Sequence, residues 1–148
     1  LTQRLITATA GDFQVRLLRQ CMGKPTPSER AALNIDAPWA MIREVELICR
    51  GQPWVYARSI IPRKTLRGSG RFLYQLGSRP LGANLFSNPA TSRGLIEVGC
   101  IKTNTRPLPL FAAPSIIWGR RSVFHLKNDP LLVSELFLPD CPMYNKND

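Results

Sequence analysis

Arg43 and Glu135 are charged residues set into apolar, strand-like sequence, and that setting makes them candidates for chemistry. Over residues 39–50, Met41, Arg43, Val45, Leu47 and Cys49 would share one strand face. Ile42, Glu44, Glu46, Ile48 and Arg50 would share the other, wetter one. Over residues 129–139, Leu131, Val133, Glu135 and Phe137 alternate with Leu132, Ser134, Leu136 and Leu138. Both of those faces are mostly apolar, so this strand is expected to be covered on both sides. An ionised glutamate there is costly unless a cation or hydrogen-bond donor meets it. Two readings stand. In one, Arg43 and Glu135 form a buried structural ion pair, and pattern alone leans that way. In the other, Arg43 receives a carboxylate through its planar fork. Glu135 then works as acid, base or hydrogen-bond partner in a dry pocket.

The other candidates are weaker. Arg120 and Arg121 are adjacent on a strand, so one is expected to point inward and one outward; for either alone a solvated face is the simpler reading. His125 has no second histidine and no nucleophile placed beside it, which favours a structural role. Gly68-Ser69-Gly70 lacks the full glycine spacing and the lysine of a phosphate loop. The four cysteines, Cys21, Cys49, Cys100 and Cys141, are far apart and form no Cys-x-x-Cys, so neither a metal nor a disulfide framework is expected. Free thiols in a reducing cytoplasm are the expectation.

The elements that must carry these residues read as follows. Leu1, Leu5 and Ala8 have helical spacing. A first strand alternates from Phe13 to Gln20. Thr26, Pro27 and Glu29 form a helix start, with Thr26 as N-cap and Glu29 closing a capping box. Strands over 39–50 and 54–61 flank Gly51-Gln52-Pro53 as an antiparallel hairpin. A short helix lies within 65–77, with Gly77 as its stop, and Arg79-Pro80-Leu81-Gly82 reads as a turn or loop. A strand over 95–100 is followed by a long, proline-bearing loop to residue 117, then by strands over 118–127 and 129–139. Short links between neighbouring strands predict an α+β fold: a mainly antiparallel six-stranded sheet with a few short helices.

With 148 residues, 44% hydrophobic and 20% charged, the chain is expected to be one domain, residues 1–148, without a membrane-spanning segment. It begins at Leu1, and a processed or partial form is expected. The net charge of +10 favours anionic partners. The basic residues are scattered rather than grouped in a run or on one helix, so nucleic acid is not the expected partner.

Taken together, the motifs resemble the chorismate–pyruvate lyase family. The resemblance runs through Trp39-Ala40-Met41-Ile42-Arg43-Glu44, Gly51-Gln52-Pro53-Trp54, Ala57-Arg58, Leu76-Gly77, Pro80-Leu81-Gly82 and Leu85-Phe86. It continues through Ile96-Glu97-Val98-Gly99, Trp118-Gly119-Arg120-Arg121-Ser122 and Glu135-Leu136-Phe137-Leu138-Pro139, and ends at Tyr144. Two departures stand out: residues 100–117 are longer than the family spacing, and the family carries a segment before Leu1. The resemblance implies an antiparallel sheet with helices packed on it and an enclosed ligand site. It also implies conversion of chorismate to 4-hydroxybenzoate and pyruvate for ubiquinone synthesis, by a cytoplasmic monomer with no metal or cofactor. The family's substrate-binding arginine falls on Arg43, its glutamate on Glu135 and its turn leucine on Leu81, where the backbone is the expected contact. A further binding position, commonly Met, falls on Leu1. The alternative on the same fold is a non-catalytic effector-binding domain of a transcription regulator, which would normally follow a winged-helix region.

Overall fold

The computed structural model describes residues 1–102 and 116–144. Its elements are α1 (Thr2–Ala8), β1 (Phe13–Gly23), α2 (Pro27–Leu33), β2 (Ala40–Cys49), β3 (Gln52–Pro62), α3 (Arg63–Arg67), α4 (Leu81–Ser87), β4 (Thr91–Arg93), β5 (Glu97–Lys102), β6 (Ile116–Leu126) and β7 (Asp129–Phe137). Single 3₁₀ turns cover Arg71–Gln75 and Pro142–Tyr144. The strands form one seven-stranded antiparallel sheet in the order β1-β2-β3-β7-β6-β4, with β5 sharing the β6 edge.

Local chemistry sets the element ends. Thr26 accepts from the Glu29 backbone N–H, and the Glu29 side chain returns a bond to Thr26 N–H, so α2 starts on the predicted capping box. Between β2 and β3, Arg50 (φ 51°) and Gly51 (φ 76°) both take left-handed backbone, the requirement of a two-residue hairpin turn. The turn therefore sits one residue earlier than Gly51-Gln52-Pro53, and Gln52 already belongs to β3.

The sheet separates two environments. On one face, Met41, Ile61, Leu66, Leu73, Leu76, Leu85, Phe124 and Leu131 belong to one apolar cluster. Farther along that face, Val45, Leu47, Cys49 and Leu5 belong to a second. Arg43 lies between Met41 and Val45 on β2, at the gap between the two clusters. On the opposite face, Ile42, Ile60 and Leu132 pack with Leu33 of α2.

Several expectations need correction. Among the described residues the sheet has seven strands rather than six, because the three-residue β4 is too short to show a period in sequence. The segment read as a loop from Arg79 runs directly into helix α4 at Leu81. The long loop read over 100–117 is shorter at both ends, since β5 reaches Lys102 and β6 starts at Ile116; residues 103–115 lie outside the described residues. The face of β2 read as wetter is not wet: Glu46 is buried and paired with Arg16, and Glu44 is paired with Arg58. Arg58 also grips Glu29 of α2, so this network ties that helix to the sheet. Burial, with Glu44 alongside, pushes the Tyr56 hydroxyl on the same face up to about 12.

Gly119 on β6 is a packing constraint close to the candidate glutamate. A Cβ there would lie 2.6 Å from Leu136 Cδ2 and 2.8 Å from the Glu135 carbonyl oxygen. Gly119→Ala is therefore expected to destabilise the fold by about 1–3 kcal/mol through overpacking. Thermal unfolding checks this; an unchanged Tm would show that β6 and β7 can separate at no cost.

Candidate active site

A cavity of about 370 Å³ lies against the inner face of the sheet, under α1 and α4. That size is within the usual range for small-molecule sites. Arg43, Leu81, Glu135 and Leu1, the four positions singled out in the sequence, all line it. So do Arg93 and Arg120. Val15, Val45, Leu47, Phe86 and Phe124 supply apolar wall.

Arg43 is 2% exposed and is the largest charged group in the interior. Its Nη1 donates to Gln20 Oε1 (3.0 Å) and to the Gly77 carbonyl (2.8 Å), and its Nη2 donates to the Arg79 carbonyl (3.2 Å). Gln20 is itself oriented by donating from Nε2 to the Tyr74 carbonyl. Gly77, at φ 59°, provides the left-handed stop that turns the chain around the guanidinium. All three acceptors are neutral, and among the described residues no carboxylate lies within 4.0 Å. Burial without a countercharge pulls Arg43 below its ordinary pKa, yet an arginine starts so high that it keeps its proton. Of five guanidinium donors, three are used; Nε–H and one Nη2–H have no partner among the described residues. Those are donors a carboxylate can take in two-point fashion.

Glu135 is met by Arg120, whose Nε donates to Oε2 at 2.7 Å. The two residues are direct cross-strand partners on β6 and β7. Arg120 also lies 5.9 Å over the Phe137 ring, which braces it. The buried ion pair between Arg43 and Glu135, one of the two sequence readings, is thereby excluded: Glu135 pairs with Arg120. Of the adjacent arginines, Arg120 points inward and Arg121 outward to Glu97 and Ser28. The register sets the span of the site. Arg43 pairs with Ser59 and Glu135 with Ala57, two strands over and two residues along. Their Cα atoms are then roughly 12 Å apart from standard strand spacings, so side chains reaching in from both ends leave room for a six-membered ring.

Leu81 is the first residue of α4, after Pro80, and Leu1 precedes α1. Both helices roof the cavity. His125 pairs across strands with Ser92 and Pro130 and is not a cavity residue. Sequence reasoning missed Arg93, because it ends a strand of three residues that carries no periodic signal. It set Arg120 aside as one of a pair whose inward member only the register reveals.

The sequence matches the family described as chorismate lyase over residues 1–148. It is 41% identical over 143 residues to a probable chorismate pyruvate-lyase of Methylococcus capsulatus, covering 94% of this chain and 88% of that one. A probable chorismate pyruvate-lyase of Coxiella burnetii is 42% identical over 144 residues, covering 94% and 77%. The chorismate pyruvate-lyase of Pectobacterium atrosepticum is 37% identical over 148 residues, covering 97% and 74%. Among solved structures, the ligand-binding domain of a putative GntR-family transcriptional regulator from Bordetella bronchiseptica superposes with a TM-score of 0.62 at 17% identity, covering 88% of this chain and 87% of that one. The effector domain of PhnF from Mycobacterium smegmatis gives 0.58 at 15%, covering 90% and 88%. At these identities the structural likeness speaks for the fold alone. No helix among the described residues is long and apolar enough to cross a membrane.

The Arg120–Glu135 pair is partly enclosed, so it should couple more strongly than the roughly 0–1 kcal/mol of a surface pair. Arg120→Leu alone is expected to cost about 1–3 kcal/mol by leaving Glu135 without its partner. In a double-mutant cycle with Glu135→Gln, the combined loss should fall short of the sum by about 1 kcal/mol or more. Denaturant unfolding of the four proteins measures this, and strict additivity would show that the two side chains do not support one another.

Proposed function

The chain belongs to the chorismate lyase family, and from that premise we propose that its cavity converts chorismate to 4-hydroxybenzoate and pyruvate. The single observation that carries the reading is a buried arginine held only by neutral acceptors, facing a carboxylate held by its own arginine. The first suits the substrate's ring carboxylate. The second suits the ring hydroxyl and the carbon beside the ether.

The reaction is an elimination. The ring carbon bearing the hydroxyl loses its proton, the neighbouring carbon–oxygen bond breaks, and the electron pair left in the ring completes the aromatic system. The departing enolpyruvate takes up a proton to become pyruvate. Arg43 fixes the ring through its carboxylate by two N–H donors. Leu81 contributes a backbone contact at the start of α4, and Leu1 a side-chain wall. Glu135 accepts the ring hydroxyl and assists the proton leaving the adjacent carbon, while Arg120 holds it in place. The apolar walls exclude water from a ring that is about to aromatise. No oxidant, metal or cofactor enters this scheme. The enzyme is expected to act as a cytoplasmic monomer, without nucleic acid or membrane insertion.

Purified protein incubated with chorismate alone should yield 4-hydroxybenzoate and pyruvate in equal amounts. Arg43→Ala should raise KM by about a hundredfold, the scale of losing a buried, hydrogen-bonded charge partner. Glu135→Gln keeps the shape but not the basicity, and should lower kcat by about a hundredfold or more with KM much less affected. Tight 4-hydroxybenzoate binding with no turnover would instead indicate a binding domain on the same fold.

A further inference from the structure

The cavity contains a third arginine that neither the sequence reading nor the proposed roles use. Arg93 ends β4 and lines the same cavity as Arg43 and Glu135. Two contacts fix its guanidinium. Its Nε donates to Ser122 Oγ at 3.0 Å, and its central carbon lies 5.2 Å over the Phe124 ring. Phe124 is in turn braced edge-to-face by Phe86, with ring centroids 5.9 Å apart. Ser122, the acceptor, is 2% exposed. The two terminal nitrogens of Arg93 have no partner among the described residues, and no carboxylate among them lies within 4.0 Å. Arg93 is an exposed residue at the cavity rim, positioned by one hydrogen bond from Nε and by its stacked face, with its donor end left available.

The sheet register places its acceptor, Ser122, opposite Arg43; Arg93 itself pairs with Phe124, two residues along β6. Arg43 pairs with Ser59, Ser59 with Val133, and Val133 with Ser122, so all four stand on one rung across β2, β3, β7 and β6. Three strand spacings separate Arg43 from Ser122, roughly 14 Å between Cα atoms. Glu135 and Arg120 lie on the neighbouring rung, toward the Ser122 side. The cavity thus has a cation at each end. The side-chain charges agree: three arginines against one glutamate leave a net +2, and Arg120 is already paired with Glu135.

We propose that Arg93 receives the second carboxylate of a dicarboxylate ligand, the one on the enolpyruvyl ether, while Arg43 holds the ring carboxylate. This inference rests on the reading of the cavity as a chorismate site and deepens it. It separates substrate from product by charge count. The substrate engages both cations; 4-hydroxybenzoate, with a single carboxylate, engages only Arg43. Pyruvate leaves from the Arg93 end. Arg93 is a substrate-binding residue with no part in the proton transfer.

Equilibrium binding tests this without depending on turnover. The probes are 3-(carboxymethoxy)benzoate, an unreactive aromatic dicarboxylate with its acidic groups similarly disposed, and 4-hydroxybenzoate. Arg93→Gln should weaken the dicarboxylate by about tenfold or more and leave 4-hydroxybenzoate within about twofold, which also reports that the variant is folded. Arg93→Lys keeps a charge without the fork and should show an intermediate loss for the dicarboxylate only; it decides the matter if Arg93→Gln does not fold. An unchanged dicarboxylate affinity, or an equal loss for both ligands, overturns the proposal. With chorismate, KM should rise in Arg93→Gln with kcat little affected. A wild-type protein that binds the two probes as stated but turns over no chorismate would sink the lyase reading alone. Turnover with an unaltered KM in Arg93→Gln would sink this inference alone.

Discussion

The rest of the site depends on one constraint: a cation, Arg43, buried between two apolar clusters and satisfied only by neutral groups. Taking a guanidinium out of water is expensive. The fold offsets that cost by wrapping a turn around it, so that two main-chain carbonyls and one side-chain amide accept its protons. None of these acceptors cancels the charge. A carboxylate partner would have stabilised the empty cavity and closed it to an anionic ligand. Neutral acceptors fix the position of the group and leave its field directed into the cavity.

The other charged groups follow from the sheet. In an antiparallel ladder, residues directly opposite one another share a face, so a single rung can line up side chains from five strands on one side of the sheet. Gln20, Arg43, Ser59, Val133 and Ser122 are such a rung; Ala57, Glu135 and Arg120 form the next. The small residues Ser59 and Ala57 sit at the middle of the floor, while the long charged ones stand toward the sides. The distance between these charges therefore follows from the number of strands that separate them. The fold is shared with solved domains at 17% identity and below, so the side chains standing on these rungs, not the fold, decide what such a cavity can hold.

What the sequence revealed and what it hid divide along physical lines. The capping box at Thr26, the hairpin around Gly51 and the inward set of β2 rest on local pattern, and they were legible. Arg43 was visible because a charge interrupts a long apolar alternation. The partner of Glu135 was not, since cross-strand register decides it and no local signal encodes register between strands that both look apolar. β4 escaped notice because three residues cannot display a period, and Arg93 went with it. The dryness of Glu44 and Glu46 was hidden for the converse reason: their arginine partners come from β1 and β3, far along the chain.

Charge also bears on how a reaction in this cavity would turn over. A chain of net charge +10 attracts anions of every kind, reactant and product alike, so the overall field favours arrival and opposes departure. The field at the surface is screened within about 8–10 Å at physiological salt; around the buried Arg43 it is screened much less. Release must therefore come from a local difference between the bound species. Cleavage supplies one, because it divides a dianion held at both ends into two monoanions that each engage a single cation. The binding contributed by two tethered carboxylates exceeds that of either alone, since the second contact is intramolecular while the ether is intact. Breaking the ether removes that advantage in the same step that forms the aromatic ring, and the rung that carries Arg43 at one side and Ser122, the acceptor of Arg93, at the other is what gives the fold access to it.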